Sequence, residues 1–229
     1  MHVHLPKPLH GWRALLGEVG IIVIGVLIAL AGEQLVETLH WRSEAREFRK
    51  AVDHEAGLNI GSFEFSQLQQ KCIRRRLDEL ETLVARSRNG QPVQLAGPIG
   101  MPLEISELSS VWDNKDPQVV EHLPLDIRLE YAELYDEFRN TEGIKAAQSA
   151  VWKQFSRFEE PGPLTLADRR DLHALIADAR GLDFAMESNW PVSRKLGAGL
   201  GIKAALPPEG VSLRRMIPQF EICKPVVNV

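Results

Sequence analysis

The sequence predicts an all-α protein: an N-terminal transmembrane helix, then an antiparallel helical bundle of three to four long helices, one of them continuous or nearly so with the span, and an extended C-terminal tail. Three observations predict it. Residues 19–32 (VGIIVIGVLIALAG) form a run of 14 without a charge. Beyond them, apolar residues recur at three- and four-residue steps, the period of a helix face. No segment alternates apolar and polar residues over the length of a strand. Composition narrows the class further. At 44% hydrophobic and 25% charged residues the chain is neither disordered nor a disulfide-dense miniprotein. Its net charge of −4 argues against a nucleic-acid partner. The expected division is a tail over 1–13, the membrane helix over 14–37, a bundle domain over 38–201 and the extended tail over 202–229.

The membrane helix rests on length and flanks. From Ala14 to Val36 there are 23 residues whose polar members are Glu18, Glu33 and Gln34. At ~1.5 Å per residue they reach roughly 34 Å, enough for a ~30 Å hydrocarbon core. Trp12 and Trp41 lie just outside, at the positions of interfacial tryptophans. A cleaved signal peptide is an alternative, with Lys7 and Arg13 as its basic region and Ala29-Leu30-Ala31 as a cleavage motif. Glu18 falls where the apolar core of a signal would begin and opposes that reading. A buried helix of a soluble protein is a third reading, but nothing downstream is apolar enough to cover it. The expected main partner is therefore the lipid bilayer. Lysines and arginines stand on both sides of the span and do not settle its orientation.

The span carries a pattern of its own. Glu18, Ile22, Gly25, Ala29, Gly32 and Glu33 share one helix face, and Gly25 with Ala29 forms a small-xxx-small pair that admits a close partner helix. Either Glu18 snorkels to the headgroups, or the stripe mediates self-association or contact with a membrane protein partner.

Gly17-Glu18 followed by Ile21-Ile22-Val23-Ile24-Gly25-Val26-Leu27-Ile28-Ala29-Leu30 resembles the N-terminal helix of a group of uncharacterised bacterial single-pass membrane proteins. The match covers about residues 12–42. The resemblance implies an anchored protein of the bacterial envelope, with no activity and no catalytic residue to carry over.

The elements of the soluble part follow in order. Residues 41–88 read as helix, with Gly57 and Gly61 marking an irregularity between two sub-segments and Asn89-Gly90 a stop. Five prolines between 91 and 124 forbid a long helix there, leaving a connection with a short helix near 104–112. Leu125, Leu129, Leu134, Phe138, Trp152 and Phe155 mark a helix ending near Phe158. Thr165 to Asp168 resembles a capping box, and Leu172, Ile176, Ala179, Met186 and Trp190 continue that helix until Pro191 kinks or ends it. Gly197, Gly199 and Gly201 complete the stop.

The search for chemistry returns few candidates. The seven histidines show no metal-ligand spacing, so no metal is expected, and His40 beside Trp41 reads as interfacial. No phosphate loop or nucleophile elbow occurs, so no cofactor and no enzymatic activity are expected. Arg74-Arg75-Arg76 reads as a solvated, salt-bridged face. Asp113, Asp116, Glu159 and Glu160 read as polar loop ends, and Trp112, Trp152 and Trp190 as core anchors. Cys72 and Cys223 allow one disulfide that would fix the tail to the bundle. That bridge would place the domain in an oxidising periplasm, outside the inner membrane, whereas two buried thiols would suit the cytoplasm. The expected function is binding, as an accessory, sensory or scaffold subunit of an envelope complex. The alternatives are a membrane-tethered enzyme of unrecognised type and a secreted helical protein cleaved after Ala31.

Overall fold

A computed structural model describes residues 11–205, 215 and 217–227. Lys7, His2, His4, His10 and Pro207-Pro208 lie outside the described residues. Within them the protein is helical without a strand, apart from an isolated bridge between Val93 and Gly162. The helices are α1 (Trp12–Arg88), α2 (Ser110–Asp113), α3 (Pro117–Glu121), α4 (Leu125–Phe155) and α5 (Leu166–Gly199), with single 3-10 turns at Ser156–Phe158, Ile217–Gln219 and Glu221–Cys223.

Helix α1 is 77 residues long and runs without a break from the apolar segment into the core. The boundaries expected after residues 13 and 37 therefore fall inside one continuous helix. It is the helix, among the described residues, that is long and apolar enough to cross a membrane, and its most apolar window buries nothing against the protein. The expected irregularity at Gly57 and Gly61 is absent. These glycines instead leave room for residues 202–205, which lie along α1. A Cβ at Gly57 would come 2.7 Å from the Lys203 carbonyl oxygen, and one at Gly61 would fall on that of Ala205. The Ala205 N–H donates to Gly57 O at 2.8 Å.

Helix α5 packs antiparallel to α1. Arg74 of α1 meets Asp183 and Glu187, while Asp78 and Glu81, further along α1, meet Arg180, earlier on α5. Helix α4 runs parallel to α1, since Tyr131, Tyr135 and Phe138 meet Asp53, Glu55 and Phe63 in rising order. The long connection 89–124 makes this possible by returning the chain to the starting end. The connection is mostly extended. Its helices are α2 and α3 rather than one over 104–112. Asp116 caps α3 by accepting from the Gln118 N–H, with Pro117 in the first turn where its missing donor costs nothing.

The Thr165 hydroxyl and the Asp168 carboxylate form the reciprocal capping box of α5. Pro191 neither ends nor breaks α5, which continues to Gly199. Packing on both sides of the proline, through Met186 and Leu200, holds the helix across the missing hydrogen bond. Gly201, at φ 78°, then turns the chain back along α1.

The core has two main apolar clusters. One, nearer the apolar segment, joins Val52, Phe63, Trp112, Tyr131, Phe138 and Met186. The other joins Phe65, Leu80, Trp152, Phe155, Leu172 and Ile176 with the tail residues Ile222, Val226 and Val227. Ile217, Ile222, Val226 and Val227, among the described tail residues, are thus components of the core. Trp112 and Trp152 are buried in these clusters, and Trp190 is half-buried against the first.

Candidate functional site

The face of α1 that carries Glu18, Ile22, Gly25, Ala29, Gly32 and Glu33 is exposed along its whole length. Trp12 is exposed as well, with the Arg13 guanidinium 5.9 Å from its ring centroid. Trp41 is half-buried. It stacks on His122 of α3 with centroids 5.0 Å apart and planes 15° from parallel, and its Nε1 donates to Glu37 at 3.4 Å. The His40 ring lies 5.2 Å from the same indole, tilted by 55°. Ala45, Val119 and Leu123 form a small apolar cluster beneath this stack. The protein core therefore begins about where the apolar segment ends.

Cys72 on α1 and Cys223 in the tail form a disulfide, with Cα atoms 4.7 Å apart across 151 residues of sequence. The arginine triplet adjoins it: Arg74 and Arg75 form the exposed, salt-bridged face expected, and Arg76 does not. Arg76 is 1% exposed. Its guanidinium donates to the carbonyls of Pro98, Ile99, Glu221 and Lys224 and pairs with Glu79 at 3.0 Å. Burial pulls its pKa below the usual arginine value and the Glu79 charge opposes the shift. Arg75 donates to the Cys223 carbonyl, and Arg74 reaches α5. A rigid fork with five donors suits this task, because extended segments that enter a core without a sheet must find other partners for their carbonyls.

A polar layer separates the two apolar clusters. Asn59 and Gln69 of α1 each use one side-chain amide to both accept from and donate to a single backbone unit, that of Leu108 and of Leu103 respectively, at 2.7–2.9 Å. They stand in for the neighbouring strand that the extended segment 103–108 lacks. Lys145 of α4 is 3% exposed, donates to Ile105 O at 2.6 Å and is ion-paired with Glu107. Burial pushes the Glu107 carboxyl up to about 7, with the Glu142 hydrogen bond adding and Lys145 opposing. Burial raises Glu104 as well. Across the layer, Gln70 donates to the buried Asp183, which Arg74 also contacts at 3.1 Å.

Glu55 of α1, also buried, accepts from the N–H groups of Val111 and Trp112 and from the Tyr135 hydroxyl, so it anchors α2 against α4. Burial and the Glu55 carboxylate together push the Tyr135 hydroxyl pKa upward. Asp113 pairs with Arg139, Asp116 caps α3 and Glu159 accepts from the Ile99 N–H. These acidic residues serve structure.

Charged groups with shifted pKa values thus converge inside the protein, but the space among them is about 20 Å³, lined by Gln70, Glu104, Lys145, Gln148 and Asp183. That is room for about one water molecule and not for a substrate. The buried Glu104 Oε1 atom has no hydrogen-bond partner among the described residues. Sequence reasoning did not single out this layer. Its signal was Asn59, Gln69 and Gln70 placed on an otherwise apolar helix face. No group of three or more histidine, cysteine or acidic side chains among the described residues is arranged to hold a metal ion. No protein-family model, curated protein or solved structure matches this chain.

Proposed function

We propose that the protein is a bitopic protein of the bacterial inner membrane whose helical domain lies on the periplasmic side and acts by binding, as an accessory, sensory or scaffold subunit. The observation that carries this reading is the continuity of α1, whose uncovered apolar first third becomes, without a break, the spine of the domain. A helix with so much exposed Ile, Leu and Val needs a hydrocarbon solvent, since more than ten large apolar side chains in water would aggregate. The Cys72–Cys223 bond supports the periplasmic side. The stripe Glu18, Ile22, Gly25, Ala29, Gly32, Glu33 is the face proposed to meet a second copy or a membrane partner.

Membranes washed in alkaline carbonate should retain the protein in the pellet, and its release into the supernatant refutes the anchor. A photo-crosslinking residue at position 25 or 29 should give a discrete product, and one at position 24 or 28, on other faces, should not. Equal labelling at all four removes the stripe as a contact face and leaves the anchor standing.

A further inference from the structure

Between α1 and α3 lies a cleft of about 650 Å³, open to solvent. Its walls include Glu37, Trp41 and Arg42 of α1, and Gln118, Glu121 and His122 of the α3 segment. Its position follows from helix arithmetic. Val36 is the last apolar residue of the span, and Arg42 stands six residues on, roughly 9 Å along the axis at ~1.5 Å per residue. The headgroup layer occupies about 5–8 Å beyond the hydrocarbon on each side. If α1 spans the bilayer, Glu37 and Trp41, roughly 1.5 and 7.5 Å beyond Val36, lie within that layer, and the Arg42 side chain, which leans toward the N-terminus of α1, reaches back to its outer edge.

The chemistry of the walls selects among headgroups. Arg42 and Glu121 have no ion-pair partner among the described residues, so one cation and one carboxylate are free for a ligand. Glu37 adds a second carboxylate, held by the Trp41 Nε1–H at 3.4 Å. The Trp41–His122 stack closes one side with a flat surface. One cation among two carboxylates disfavours a purely anionic headgroup. A phosphate that carries its own primary ammonium complements all three: the phosphate meets the Arg42 fork and the ammonium donates to Glu37 and Glu121. A quaternary ammonium has no N–H for the carboxylates, and a glycerol headgroup has no cation.

We propose that this cleft binds the phosphoethanolamine headgroup of a bilayer phospholipid, bridging α1 and α3 and seating the domain on the membrane surface. The proposal rests on the reading of α1 as a membrane span. The full-length protein in non-ionic detergent is exposed to equal amounts of short-chain phosphatidylethanolamine, phosphatidylcholine and phosphatidylglycerol, and native mass spectrometry counts the lipid retained.

Phosphatidylethanolamine should be retained over the other two. Arg42→Ala and Glu121→Gln should each lower its retention about three- to tenfold, as expected for a charge-assisted contact partly removed from water. Both residues are exposed, so unchanged thermal melting of the variants certifies the fold. Equal retention of the three lipids, preference for phosphatidylglycerol, or retention indifferent to both substitutions overturns the proposal. So does a lipid-free dimer that either substitution dissolves, which would give the cleft to a second copy. Carbonate extraction of the same wild-type membranes separates the two readings. Release to the supernatant sinks the anchor, whereas a pelleted protein without lipid preference sinks the headgroup site alone.

Discussion

Single residues decide this domain where charge meets burial. Arg76 satisfies carbonyls of two extended segments that share no strand with each other. Lys145 does the same for Ile105 while neutralising Glu107. Glu107 also makes stability depend on pH. Its carboxyl sits at about 7 in the folded protein against an ordinary 4.5. The folded state therefore holds the proton more tightly than the unfolded chain between those values. By linkage, stability falls as pH rises from 4.5 to 7, by on the order of 1–3 kcal/mol, and levels off above. Glu104 and Asp183 are shifted the same way, so they share in the slope. Thermal melts at intervals over this window should show the decline in the wild type and a flatter profile in Glu107→Gln. Parallel profiles would remove Glu107 as its source.

At the scale of the element, α1 owes its continuity to what packs on it. Glycine lowers helix stability by about 1 kcal/mol relative to alanine, so Gly57 and Gly61 weaken α1 locally. The segment 202–205 compensates by lying in the space they leave. Gly61→Val should therefore raise the helix propensity of α1 yet lower the stability of the protein, by roughly 1–3 kcal/mol, because the Ala205 backbone must move. A urea denaturation midpoint equal to or above that of the wild type would show that the strap does not matter. Helix α5 carries a related tension at Pro191, a residue with no N–H to give, and continues through it because tertiary contacts flank the position.

For the molecule as a whole, the disulfide and the buried tail close the end of the domain that is far from the apolar segment. The bond joins residues 151 apart, so it removes much freedom from the unfolded chain. Loop-closure entropy gives an upper figure of ~4–5 kcal/mol. Reduction with dithiothreitol should lower the thermal midpoint markedly, and Cys72→Ser with Cys223→Ser should reproduce the shift. Labelling of two free thiols in the denatured, unreduced protein would show that no bond forms, and would remove the main argument for a periplasmic domain. The same bond keeps Ile222, Val226 and Val227 in the core, so the double variant should also expose apolar surface to a hydrophobic dye.

Much of this architecture was legible in the residues. Uncharged length marked the apolar first third of α1, three- and four-residue spacing marked α4 and most of α5, and Thr165 with Asp168 marked the start of α5. These are local properties, written in the periodicity of one segment and in its own backbone donors and acceptors. What the sequence did not disclose depends on neighbours distant in the chain. Gly57 and Gly61 read as a break because the strap that fills them is more than 140 residues away. Arg76 read as solvated because nothing in its own turn reveals the four carbonyls that converge on it. The tail read as extended because its apolar residues lack helical period, although the disulfide and Arg76 bring them into the core. The parallel course of α1 and α4, the polar layer between the apolar clusters and the cleft at Trp41 likewise arise only when separate segments meet. The sequence by itself determined which segments form the long helices and which of them is apolar and long enough to cross a membrane. Only the tertiary structure decided which polar groups are buried and what satisfies them, because burial is a property of the packed whole and periodicity a property of the segment.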